Sequence, residues 1–131
     1  MGSFSNYWEN EILDHLFGKG SYAPPTVYVG LSTADPGDDA TGLSEPTGNG
    51  YARLATSAAD WNSASGGSLD NAGAVAFAEA TGDWGTVTHF ALFDAATGGS
   101  MLAHGALSLS KTVSNGDTIR FVAGDLNVSL N

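Results

Sequence analysis

The chain has 131 residues, 42% of them hydrophobic, and no cysteine, which suits one folded core without disulfides, thiolate chemistry or cysteine-bound zinc. Fourteen Asp and Glu stand against four Lys and Arg, a net charge of −10, and Lys19, Arg53, Lys111 and Arg120 are scattered singly. Binding to nucleic-acid phosphates needs clustered cations, so direct DNA or RNA partners are excluded, and no apolar run approaches the roughly 18 residues of a membrane helix.

In chain order, the opening "MGSFSNYWENEI" has neither a basic n-region nor an apolar stretch. No secretory signal is read there, and Asn6 stands where a myristoylation signal needs Ser or Thr. Export by the general pathway is not expected. Residues 5–18 carry a helical pattern, with Ser5 or Asn6 as N-cap; with Asn6, Glu9 completes a capping box. Trp8, Ile12 and Leu16 recur at i, i+4 and i+8 beside Leu13 and Phe17, an apolar stripe expected against a sheet or a neighbouring subunit. Gly18 and Gly20 supply the stop.

After Pro24-Pro25 the period falls to two: Val27, Val29 and Leu31 alternate with Tyr28 and Gly30 as a strand. A polar loop over 33–50 follows, with turn chemistry at Asp35-Pro36-Gly37 and Gly48-Asn49-Gly50. Its length predicts a segment that is either mobile or pinned by a partner. Residues 51–56 read as a short strand, and 57–70 as a loop around Trp61. Further strands are expected at 73–78, 86–93, 101–109, 118–122 and 125–130. The pattern predicts one domain over 1–131, with a helix at 5–18 and β structure over 26–131. Its class is mainly β: an antiparallel β-sandwich or jelly-roll-like domain of about seven short strands with one N-terminal amphipathic helix.

Candidate chemistry is sparse. Asp35, Asp38 and Asp39 form the densest carboxylate group, but their spacing fails the EF-hand pattern. An irregular Ca²⁺ site and a solvated turn in which Asp35 caps its own backbone are the two readings. No Gly-x-Ser-x-Gly elbow or phosphate-cradling loop occurs, and no carboxylate pair is singled out. Trp8, Trp61 and Trp84 suit a sugar-stacking platform or core packing, Trp61 being the better placed for external contact.

His89 and His104 flank a Gly-Gly turn, and alternation puts Val87, His89, Ala91 and Phe93 on one face of their strand and Thr88, Phe90 and Leu92 on the other. If facing residue numbers sum to an even value the two imidazoles point to opposite faces; an odd sum brings them to one face. Even then two histidines fall short of a zinc site, and His15 would have to complete it. No catalytic, cofactor-binding or metal residue is assigned. Contacts between subunits are expected from the helix stripe (Trp8, Ile12, Leu16, Phe17), the long loop (Asp35, Pro36) and Trp61.

The segments "SNYWENEILDHLFG", "PPTVYVGLSTADPGDDATG", "GYARLA", "WGTVTHFALFDAATGG", "HGALSLSKTVSNGDTIRF" and "AGDLNVSL", in that order, make the chain resemble a family of small tailed-bacteriophage virion proteins, labelled phage tail fibre or capsid decoration proteins. The resemblance implies a non-enzymatic structural role without cofactor or small-molecule substrate. Decoration (cement) proteins of this kind are mostly β and often trimeric, so the implied partners are the major capsid protein and copies of itself. The implied place is the capsid exterior of a virion assembled in the host cytoplasm. The chain lacks the repetitive shaft sequence of a tail fibre, which turns the expectation toward capsid decoration. The alternative is a tail-fibre or head-fibre module that binds a host surface or carbohydrate.

Overall fold

Ser5 is where the chain turns from strand to helix. In the computed structural model, which describes residues 2–130, a strand β1 (Gly2–Phe4) leads directly into helix α1 (Asn6–Leu16). The buried Ser5 hydroxyl donates to the Met101 carbonyl at 2.6 Å and accepts from the Trp8 N–H at 3.3 Å. Ser5 is therefore the N-cap, and the capping box expected from Asn6 and Glu9 does not form, because the tie to Met101 fixes the helix start one residue earlier. At the other end Gly18 takes φ +71° and its N–H reaches the His15 carbonyl, the left-handed stop for which glycine is suited.

The remaining strands are β2 (Tyr28–Ser32), β3 (Leu54–Ala55), β4 (Ser68–Asp70), β5 (Val75–Ala76), β6 (Gly85–Phe93), β7 (Met101–Val113), β8 (Arg120–Phe121) and β9 (Asn127–Ser129). Seven of them make one curled sheet in the order β3-β2-β6-β7-β1-β9-β4, and β5 pairs with β8 separately. The mainly β, sandwich-like class holds. Two strands go beyond the seven expected: β1 and β4 are three residues each, too short to show a period of two. The sheet is also mixed, not purely antiparallel, because β1 inserts between β7 and β9 and runs parallel to β9. Gly2 faces Gly105 in that pairing, and a Cβ on Gly105 would lie 2.6 Å from the Gly2 Cα and 2.7 Å from the Phe90 ring. Only paired glycines let β1 and β7 lie together over that ring.

The main core lies on one face of the sheet. Val29, Leu31, Phe90, Leu92, Leu102 and Val128 pack there with Val75, Phe77, Ile119 and Phe121 from the β5–β8 region. The opposite face carries a smaller cluster of Ala91, Phe93 and Met101, covered by Tyr28, Ala40 and Leu43. β6 is thus covered on both sides, as its two apolar faces predict. The strict alternation expected along it fails at one place. Register passes from Val87↔Lys111 to His89↔Ala106, an irregularity that turns Val87 into the main core with Phe90 and Leu92, away from the face of His89.

Asn71 fastens the edge of this arrangement. Fully buried, it donates from Nδ2 to the Gly73 and Val122 carbonyls at 2.7 and 2.9 Å and accepts the Leu126 N–H at 2.9 Å. Asn71→Ala leaves the Gly73 carbonyl and the Leu126 N–H without those partners and the Val122 carbonyl with only the Asp125 N–H, and is expected to cost about 3 kcal/mol, read as a lower urea midpoint at unchanged m-value. A midpoint equal to that of the parent would show that water replaces the side chain.

Candidate functional site

The long loop is held by its own chain. Tyr51 and Arg53, two residues apart and so on one side of an extended segment, both reach Glu45. The Arg53 guanidinium meets the Glu45 carboxylate through Nη2 at 2.6 Å and Nε at 2.9 Å, and the Tyr51 hydroxyl donates to it at 2.7 Å. Arg53 also donates to the Ala95 and Gly98 carbonyls of the β6–β7 turn at 2.8 and 2.9 Å and lies 3.5 Å over the Phe93 ring. Its side chain is only 6% exposed. Burial alone would raise the Glu45 pKa, but hydrogen bonds from Arg53 and Tyr51 and the Arg53 charge outweigh it and hold the carboxyl below its usual range. Burial pushes the Tyr51 phenol up. The Asp38 carbonyl accepts the Asn6 N–H at 2.9 Å, and Ser44 N–H reaches the Ser32 hydroxyl at 3.0 Å. The loop expected to be mobile or pinned by a partner is pinned internally.

This anchoring brings part of the acidic loop to the two histidines. In their part of the hairpin His89 faces Ala106 and Ala91 faces His104, an odd-sum register, so both imidazoles lie on the face that the loop covers. His104 Nε2 is 2.9 Å from Asp38 Oδ1, and His104 Nδ1 is 4.0 Å from Asp35 Oδ1. His89 Nε2 is 3.9 Å from the same Asp35 oxygen, while its Nδ1 is 2.8 Å from the Thr88 hydroxyl. His15 is elsewhere, at the end of α1, accepting the Tyr22 N–H. The three loop carboxylates take different partners: Asp35 accepts the Gly37 N–H at 3.0 Å, Asp38 meets His104, and Asp39 accepts the Thr41 N–H at 3.1 Å. Those Thr41 bonds lower the Asp39 pKa. Among the described residues no three histidine or carboxylate side chains already have the spacing of a held ion.

A second feature is apolar. None of the residues of α1 is buried. Leu13, Leu16 and Phe17 are 53%, 70% and 77% exposed, and Leu130 beside them is 62% exposed. Phe4, Ile12, Leu13, Leu16 and Leu130 line a cleft of about 390 Å³ there. The predicted stripe therefore divides: Trp8 and Ile12 are half-buried, whereas Leu16 and Phe17 face outward. Trp8 lies 4.5 Å from the Phe4 ring and donates to the Tyr22 hydroxyl at 3.1 Å. Trp61 packs on the core and donates to the Thr56 hydroxyl at 2.9 Å. The two tryptophans share a groove of about 380 Å³ with Val27, Leu69 and Leu92. Pro36 is buried inside the loop, and Asp35 is exposed. Sequence reasoning missed Arg53, Tyr51 and Glu45 as an anchoring set; a lone Arg spaced by two from a Tyr was the available signal.

Compared with known families, the chain matches along residues 3–129 a family described as podophage GP4 fiber I protein gp80. It belongs to this family. No curated protein matches it. Membership makes it a phage virion structural protein and a virion component, and the family is a structural one. The match spans α1, the pinned loop and both histidines, and leaves out only the first and last described residues, Gly2 and Leu130.

The Glu45 carboxyl gives a pH prediction. Its folded pKa is depressed, so its contribution is present above the unfolded value of about 4.3 and is lost as pH falls through the folded value. Glu45→Gln is expected to be about 2 kcal/mol less stable than the parent at neutral pH, less than for a fully buried pair because Glu45 keeps 20% of its side chain exposed. The difference should close as the pH drops below about 4 in thermal melts followed by circular dichroism. A gap independent of pH would assign the effect to packing.

Proposed function

We propose that this protein is a non-catalytic fibre component of a phage particle, held to its neighbour through the apolar end of α1. The observation that carries the reading is the family match over residues 3–129, whose printed description is that of a fibre protein. The exposed Leu13, Leu16, Phe17 and Leu130 support the attachment surface, since side chains of that size grouped at one end of a small domain leave apolar area for a partner to cover. Capsid decoration is the second reading. It is favoured by a compact chain without shaft repeats, and it would make the major capsid protein and copies of this chain the partners. The groove between Trp8 and Trp61 favours a carbohydrate-binding role within either reading, because indole rings beside an open groove suit the faces of sugars.

Two measurements separate these readings. Quantitative mass spectrometry of purified particles, with gold labelling of an epitope-tagged copy, is expected to find few copies, located on the tail or at fibres. Hundreds of copies spread over the head would instead establish decoration, and absence from particles would end both readings. The double substitution Leu16→Asp, Phe17→Ser is expected to change folding stability by no more than about 0.5 kcal/mol, because both side chains are solvent-facing. It should nonetheless reduce incorporation into particles at least tenfold. Normal incorporation of that variant would remove α1 as the attachment element.

A further inference from the structure

We propose that the cleft between the later half of β7 and the β8–β9 turn binds an acidic saccharide, a sugar bearing a carboxylate or phosphate group. Lys111 of β7 and Arg120 of β8 both line this cleft. The chain carries a net charge of −10, yet two of its four basic side chains meet here. The ion pairs among the described residues involve Arg53, His89 and His104, so Lys111 and Arg120 have no carboxylate partner there. Asp125 is the one carboxylate among the lining residues, and it accepts the Val122 N–H at 3.2 Å within its own turn. Two exposed cations against one engaged carboxylate give an anion a local attraction that an acidic surface otherwise denies it. Arg120 offers the planar fork of donors that suits a carboxylate or phosphate, and Lys111 adds a compact charge.

Charge alone would admit any anion; the walls narrow the choice. Asn127 lines the same cleft, and its Oδ1 is a buried side-chain oxygen with no hydrogen-bond partner among the described residues. A buried acceptor left without a donor costs free energy, and a ligand hydroxyl recovers it once the amide turns about its soft terminal torsion. A sugar supplies that hydroxyl beside its anionic group, whereas sulfate or acetate does not. Residues 107–110 of β7 stand opposite Thr88 alone, because the pairing passes from His89↔Ala106 to Val87↔Lys111. Within that widened stretch Leu107 is half-buried and Leu109 is 75% exposed, and both line the cleft as apolar surface for the C–H face of a ring. The cleft measures about 600 Å³, within the roughly 300–1,000 Å³ of small-ligand pockets. It is distinct from the groove between Trp8 and Trp61, with which it shares no lining residue.

The test uses the full chain in isolation, so its outcome does not depend on where the protein sits in a particle. Calorimetry and proton–nitrogen NMR at low salt follow titration with trigalacturonate, glucose 6-phosphate, maltotriose and sodium acetate. At least one of the two acidic sugars is expected to bind at one site per chain, the tighter of them naming the anion. Maltotriose and acetate should bind at least tenfold more weakly, and salt at about 0.5 M should weaken the acidic sugar at least fivefold. The amide signals of Lys111, Arg120 and Asn127 should shift while the indole signals of Trp8 and Trp61 stay. The double variant Lys111→Gln, Arg120→Gln changes only exposed side chains, so it should keep the parent's melting temperature and lose at least tenfold in affinity. Asn127→Ala removes the unpartnered oxygen and should weaken binding at least threefold; should it unfold, the double variant decides alone. No binding at millimolar acidic sugar, equal binding of acetate, unchanged affinity in the double variant, or tighter binding of a hexaglutamate peptide would each overturn the site.

Discussion

Arg53 is the residue on which the arrangement of the functional face depends. It is one of four basic side chains in a strongly acidic chain, and its guanidinium is nearly enclosed. A buried guanidinium is tolerated only when its donors are satisfied, and Glu45 and the carbonyls of Ala95 and Gly98 do so while Phe93 covers its face. Those partners belong to the long loop, the hairpin turn and the end of β6. One side chain therefore fixes where three segments meet. Once Glu45 is held, Ala40 and Leu43 of the same loop lie over Ala91, Phe93 and Met101, and Asp35 and Asp38 are brought to the histidines.

The second constraint is the irregular pairing of β6 with β7. Had the register continued from Val87↔Lys111, whose numbers sum to 198, the pairing would have been even and the imidazoles would have faced opposite ways. The irregularity between Val87 and His89 moves the local sum to an odd value. It sends Val87 into the main core and gathers both histidines beneath the loop. A local departure from a regular ladder thus brings His89 and His104 to one face, as such irregularities do when they re-aim side chains.

The two distinctive surfaces follow different logic. The histidine–aspartate face is polar, sheltered and closed by a loop whose ties are internal. The α1 end is apolar and open, since the helix rests on the sheet through Trp8 and the partly buried Ile12 but leaves Leu16 and Phe17 outside. A net charge of −10 opposes close approach of identical copies, so contact at the α1 end has to draw on apolar burial. The helix stripe was legible in the spacing of Trp8, Ile12 and Leu16. Which part of it stays exposed was not, because spacing defines a face and not what lies against it.

The sequence by itself determined the mainly β class, the N-terminal helix and the glycine stop at Gly18. It determined too the apolar character of both faces of β6 and the Asp35 turn. These rest on local periodicity, turn chemistry and composition, which act within a few residues. The register that joins His89 to His104, the parallel insertion of β1, and the capture of Glu45 by Arg53 were decided only in the tertiary structure. Each depends on residues distant in the chain: Gly2 beside Gly105, Asp38 beside His104, Arg53 beside Ala95. Their physical cause is close packing and the need to satisfy buried polar groups, and neither leaves a period in the sequence.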